Sequence, residues 1–318
     1  MDELTGKVMT VTGAVDPAAL GVTDAHDHLF LASHAMPGQE FQDSEKAIEE
    51  VRTAQAGGLA TIVDLTPIGL GRRPDLLRQV SDATGLRVVG ATGFHRDEHY
   101  PDGHWALEAT DDVLSVRMLT DIREGMHPTD WVGGDLLDSA RAGVIKLGAS
   151  YQHISRQERR RLEVGGVVSA QTGVSVFVHT EVGTVGDEIV DVLLGAGVGA
   201  ERIVLAHLDR NPDWEWHAEL LSRGISVVYD TPGRTKYFPD STLLGLIENV
   251  LAAGFGDRVM LGLDLGRRDY YKAYGGGPGL GYLMERFVPR LEKRVGTHAA
   301  HQILVANPAR VLAVSPIA

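Results

Sequence analysis

Four histidines, a lysine and an aspartate in this 318-residue chain stand in contexts that suit metal binding. His26 and His28 lie two apart in TDAHDH. On a strand that spacing points both rings to one side, so the pair can chelate one cation. His179 closes VSVFVH, His207 closes RIVLAH and Asp264 closes RVMLGLD, three apolar runs that each end on a donor. Lys146, inside VIKLG, would be a buried ammonium, and buried lysine is rare without a partner. Two readings follow. Lys146 pairs with Asp24 or Asp264, or its amine loses a proton and takes up CO2, giving an anionic carbamate that can bridge two metals. The chain has no cysteine, which excludes disulfides, thiolate zinc sites, Fe–S clusters and a cysteine nucleophile. Only N and O ligands remain. Zn2+ is the default for such a set, and Mn2+, Co2+ or Fe2+ also suit histidine and carboxylate.

These donors recur at one point of a repeating phrase: an amphipathic stretch, a glycine, then a short β-branched run ending on a polar residue. The runs end at His28, Asp64, His95, Lys146, His179, His207, Asp230 and Asp264, with Gly57-Gly58, Gly85, Gly143, Gly173 and Gly224 preceding five of them. Glycine at a helix end followed by a continuous apolar strand is the αβ loop of a parallel sheet covered on both faces. Between the runs, Ser155 with Glu158 forms a capping box, Thr110 precedes two acidic residues, and Pro278 suits a first helical position. Eight strand–helix units predict an α/β fold, a (β/α)8 TIM barrel spanning residues 1–318 as a single domain, with the active site at the C-terminal strand ends. A doubly wound sheet is the alternative, but HDHLF follows the first strand where such folds place a glycine-rich phosphate loop. The interval from His95 to Gly143 is long and reads as a lid-like insertion over the barrel mouth.

Composition fits a folded, enzyme-sized protein, with 43% apolar and 23% charged residues. The net charge of −13 argues against nucleic acid or an anionic membrane as partner. The acidic start of the chain lacks the order of a signal peptide and no apolar run is long enough to span a bilayer, so a cytoplasmic location is expected. By analogy with other barrels a homodimer is an open expectation.

Together, TDAHDH, VIKLG, FVHTEVGTVGDE, IVLAHLDR, MLGLD and NPARVLA resemble the phosphotriesterase family of the amidohydrolase superfamily over essentially the whole chain. The resemblance implies two divalent metal ions. His26, His28 and Asp264 would hold the more buried one and His179 and His207 the more exposed one, with carboxylated Lys146 and a hydroxide bridging them. Some members carry glutamate at the bridging position, where this chain has lysine. The segment GLDLGRRDYYKAYGGGPGLGYL is similar to the phosphotriesterase-homology branch, which includes phospho-furanose lactonases.

Barrels often bind phosphate on the loops after their last two strands. Here DTPGRTKYFPD and DLGRRDYYKAYGGG bring Arg234, Lys236, Arg267, Arg268 and Lys272 to a strongly acidic protein. An anionic substrate follows, with a solvated surface run as the alternative for Arg268 and Lys272. The resemblance implies Lys236, Arg267 and Tyr270 as the phosphate ligands. The expected substrate is a 5-phosphorylated pentono-1,4-lactone, with Asp264 as proton acceptor and later donor to the leaving ring oxygen. His95, His99 and Tyr100 are candidates for sugar hydroxyls, with loop packing as the alternative. Asp24, two before His26, is a candidate to orient a metal-bound imidazole; Glu181, after His179, is a lesser one. Three rivals stand: a phosphotriesterase or general esterase without phosphosugar preference, a mononuclear deaminase-type enzyme, and a non-catalytic, metal-stabilised binding protein.

Overall fold

The structure, a computed structural model, describes residues 4–128 and 138–317. A two-stranded antiparallel hairpin, β1 (Val8–Thr10) and β2 (Gly13–Val15), comes first. Eight parallel strands follow: β3 (Thr23–Asp27), β4 (Thr61–Asp64), β5 (Arg87–Gly93), β6 (Ala142–Ala149), β7 (Val176–Thr180), β8 (Ile203–Ala206), β9 (Ser226–Tyr229) and β10 (Val259–Leu261). They pair strictly in chain order. The sheet closes on itself, because the N–H groups of Leu263 and Asp264 donate to the carbonyl of His26 at 3.1 and 2.9 Å. Gly262 permits that approach: a Cβ there would lie 2.7 Å from the same carbonyl oxygen. Every strand sends a residue into the barrel interior: Ala25, Val63, Val89 with Ala91, Val144, Phe177, Val204, Val228 and Met260.

Helices cover the outside: α1 (Ser44–Ala56), α2 (Pro74–Thr84), the short α3 (Trp105–Glu108), α4 (Asp111–Arg123), α5 (Arg156–Thr172), α6 (Gly186–Gly195), α7 (Trp214–Ser222), α8 (Asp240–Ala252), α9 (Val288–His301) and α10 (Asn307–Leu312). The Ser155–Glu158 capping box is formed, and Thr110 caps α4. Gly85 and Gly173 end α2 and α5 in the left-handed conformation. No helix among the described residues is long and apolar enough to cross a membrane.

Three expectations are corrected. Gly143 ends no helix; it lies inside β6, where a Cβ would sit 2.3 Å from the carbonyl oxygen of Met9, so its role is to admit the hairpin. Pro278 does not start a helix: it follows a cis peptide bond in the last loop, and the helical turns begin at Tyr282. The long interval is not all lid. Its first part, through α3, rises beside the mouth, whereas α4 packs outside the barrel against β5, β6 and α5. Residues 129–137 of that interval lie outside the described residues.

Candidate metal centre

Alternation along β6 and β7 explains two of the site residues directly. Val144 and Phe177 fill the barrel interior, so Lys146 and His179, each two residues on, also face inward at the mouth. The other candidate donors need local distortions. The pairing of β3 with β4 shifts register between Asp24 and Asp27, and Ala25 rather than Asp24 joins the interior cluster. That irregularity re-aims His26 toward the mouth. His207 and Asp264 leave their strands at φ 70° and 47°. Such left-handed backbone costs roughly 1–3 kcal/mol for a non-glycine residue and concentrates at functional sites.

These distortions bring all six expected donors together. The Nε2 atoms of His28 and His26 stand 3.2 and 3.5 Å from Asp264 Oδ1. One donor atom from each of these three residues falls within 4.8 Å of the others. Lys146 Nζ is 3.4 Å from His26 Nε2, and the rings of His26 and His179 lie 4.9 and 4.5 Å from that of His207. Burial holds His26 and His207 well below the ordinary imidazole range and His179 down to about 4, so the rings are neutral.

Lys146 is fully buried, and among the described residues no carboxylate lies within ion-pair distance of it. The expected pair with Asp24 or Asp264 is therefore not formed. Burial pushes its amine down to about 8, against the partial support of Asp264 and Asp230 and with a further push from Arg210. Asp264 is pulled two ways. Burial raises it, but the Arg234 guanidinium prevails and, with the hydrogen bond to His28, holds it well below the carboxylate range.

Of the two groups expected to orient the rings, Glu181 reaches one and Asp24 does not. Asp24 accepts the backbone N–H of His26 at 3.1 Å and reaches no imidazole. Asp230 orients two rings instead, accepting from His26 Nδ1 at 2.8 Å and His207 Nδ1 at 2.7 Å. These two rings and Asp230 also cluster tightly enough to suggest a metal site. Their contacts are ring-to-carboxylate hydrogen bonds, however, so Asp230 supports the ligands rather than competing with them. Thr66 holds His28 Nδ1 at 2.8 Å, and Glu181 meets His179 Nε2 at 2.7 Å. Arg210, almost wholly buried, pairs with Asp264 Oδ2, the oxygen that His207 Nδ1 approaches to 3.8 Å. The polar end of ISVVYD was the available signal for Asp230; Thr66 and Arg210 had none.

Above the donors lies an open cleft lined by His95, His99, Arg234, Lys236, Arg267 and Tyr270, among others. Lys236 donates to the Tyr270 hydroxyl at 3.3 Å, and Arg234 lies 4.9 Å over the Tyr270 ring. Arg234 is buried and 3.1 Å from Asp264 Oδ2. Arg268 and Lys272 point elsewhere, toward Tyr274 and Glu285. Tyr100 is not in the cleft; its hydroxyl accepts from His95 N and donates to the Ile68 carbonyl, both at 2.8 Å, which makes it a brace.

The donor chemistry fits a divalent cation pair. The Nδ1 atoms of His26, His28 and His207 are each engaged by a side chain, which reserves Nε2 for a metal, and the partners are oxygen and nitrogen throughout. A closed parallel barrel with neutral imidazoles, a carboxylate and a buried lysine converging at its mouth defines a barrel built to carry metal ions. The chain belongs to the phosphotriesterase family, whose sequence profile matches residues 6–312. It is 36% identical to a phospho-furanose lactonase of Mycoplasmopsis agalactiae, over 96% of this chain and 91% of that one. Among solved structures, an amidohydrolase from Mycoplasma synoviae superposes with a TM-score of 0.93 at 31% identity, covering 98% of this chain and 93% of the other. A lactonase from Listeria monocytogenes gives 0.90 at 26% identity, covering 98% and 100%.

Proposed function

We propose that the protein is a metal-dependent lactonase that opens a phosphorylated sugar lactone of the 5-phospho-pentono-1,4-lactone type. The observation that carries the reading is a donor cluster that opens, through His28, His179 and Asp264, into the same cleft as a cationic loop pair. His26, His28 and Asp264 would hold one divalent cation, His179 and His207 the other, and Lys146 would link them as its carbamate. Carbamate formation joins the neutral amine nitrogen to CO2 and releases one proton, which a buried amine near pH 8 permits. Zn2+ suits the ligands best, with Mn2+, Co2+ and Fe2+ as alternatives. When bound, the cations acidify water and polarise an ester carbonyl.

The chain's own groups do the rest. Lys236, Arg267 and Tyr270 grip the remote phosphate and so orient the ring. Asp264 stays ionised and accepts the proton of the attacking water as the new carbon–oxygen bond forms. The acyl–ring-oxygen bond breaks, and Asp264 returns the proton to the departing ring oxygen. Arg210 and Arg234 fix the Asp264 carboxylate for this exchange.

Hydrolysis of the lactone with and without its 5-phosphate, by protein loaded with metal and bicarbonate, tests the reading. A preference of about tenfold or more for the phosphorylated lactone is expected, from charge-assisted bonds of about 1.5–3 kcal/mol. Equal rates would leave a general esterase or phosphotriesterase as the better account.

A further inference from the structure

We propose that His95 and His99 present two fixed Nε2–H donors to the cleft, and that this donor wall selects lactones carrying hydroxyl oxygens on the ring. The selection deepens the lactonase reading and rests on it; the donor assignment stands on geometry alone.

His95 Nδ1 accepts the backbone N–H of Arg96 at 2.9 Å. An amide N–H can only donate, so Nδ1 carries the lone pair and the hydrogen of the neutral ring is on Nε2. His99 Nδ1 lies 2.7 Å from Ser33 Oγ, which already accepts the N–H of Ala35 at 3.3 Å. Among the described residues His99 Nδ1 is the acceptor that the Ser33 hydroxyl hydrogen meets. Ser33 therefore donates, and His99 also carries its hydrogen on Nε2. Neither Nε2 has a protein partner among the described residues, and both rings line the cleft, 4.1 Å apart.

Position alone would suggest a different role. The His95 ring is 4.6 Å from that of His179, close enough to be taken for another ligand. With Nε2 protonated and Nδ1 engaged, it has no free lone pair for a cation and can only donate. The backbone is arranged to keep it so. Tyr100 holds His95 N from one side. On the other, a Cβ at Gly148 would stand 3.0 Å from Arg96 N and 3.4 Å from His95 Nδ1, so glycine leaves room for the bond that sets the tautomer.

Donors of this kind pair with a hydroxyl oxygen and leave a methylene unmatched. Sites built to bond a hydroxyl reject the analogue lacking it, because their own polar groups are left unpaired. The test compares a 5-phosphorylated pentono-1,4-lactone with its 2,3-dideoxy counterpart on metal-loaded enzyme. The unaltered protein should favour the hydroxylated lactone in kcat/KM by about tenfold or more. His99→Phe, which leaves the His95 donor in place, should lower that ratio severalfold, and Ser33→Ala, which keeps the ring but frees its tautomer, should lower it less. An unchanged ratio in His99→Phe overturns the selection. Long-range 1H–15N spectra read the tautomers separately: hydrogens on Nε2 of both rings support the donor wall, and an Nδ1–H pattern on either overturns it. A protein that opens neither lactone defeats the lactonase reading and the selection together, while the spectra still judge the donors.

Discussion

The floor of the cleft and its rim carry opposite kinds of order. On the floor, His26, His28, Lys146, His179 and His207 are all buried, and every ring has a polar partner. On the rim, Lys236 and Arg267 are exposed, and among the described residues Lys236 is held only by one 3.3 Å hydrogen bond and by aromatic faces 4.8 and 6.0 Å away. Groups that must meet a developing charge gain from being fixed beforehand. Groups that grip a remote phosphate can order as it arrives, at about 0.5–1.5 kcal/mol for each flexible side chain. Under the proposed function, the difference puts rate on the floor and selectivity on the rim.

The harshest test of that division is Lys146→Met. It removes the proposed bridging group while keeping the buried volume, and activity on every ester should fall by about three orders of magnitude, the equivalent of roughly 4 kcal/mol. Metal per chain, measured by atomic emission, should drop below two. Full metal content with full activity would separate Lys146 from the centre.

Asp230→Asn should cost about 10- to 100-fold in metal affinity or kcat, the usual result of removing a carboxylate that orients ligand imidazoles. Two rings depend on this one carboxylate, so metal competition titrations should show both sites weakened. Asp24→Asn, whose contact is a backbone N–H, should leave ring orientation and affinity nearly unchanged.

For the rim, Arg267→Ala and Lys236→Ala should each lower kcat/KM on the phosphorylated lactone by about tenfold or more. Both should leave the unphosphorylated lactone within about twofold. A parallel loss on both substrates would mean that the rim acts on the floor and that the division is wrong.

How much of this was readable from the chain follows the same line. The barrel was legible because parallel strands buried on both faces are continuous apolar runs, and each ended on a residue whose type stood out against its run. The six candidate donors could be picked out for that reason, and the structure brings them to one mouth. The hairpin β1–β2 was not, since three-residue strands carry too little pattern to register. The register shift in β3 also left no local mark, so alternation wrongly put Asp24 on the inward face of the strand with His26. The Asp230–His26 bond joins residues 204 apart in sequence. Only closure of the barrel makes them neighbours, and no spacing rule reaches that far.

Besides the Arg234–Asp264 pair, a hydrogen bond crosses from rim to floor, and its removal is the finest test of the comparison. Tyr271 follows the rim residue Tyr270, is buried, and donates its hydroxyl to the carbonyl of His28, with Asp27 Oδ1 also 3.4 Å away. Its loop is anchored further out by Glu50 of α1, which accepts from Ala273 N at 2.7 Å and Leu280 N at 3.0 Å. With that anchor intact, Tyr271→Phe removes one hydrogen bond worth about 1 kcal/mol, a factor of about five, and leaves the loop in place. If the phenol serves to seat the rim, KM for the phosphorylated lactone should rise by about that factor while kcat and the unphosphorylated lactone stay within about twofold. If it serves to hold the His28 backbone, kcat should fall alike on both lactones. The first result is expected, because His28 keeps its Thr66 partner and its backbone N–H bond to Asp27 without the phenol.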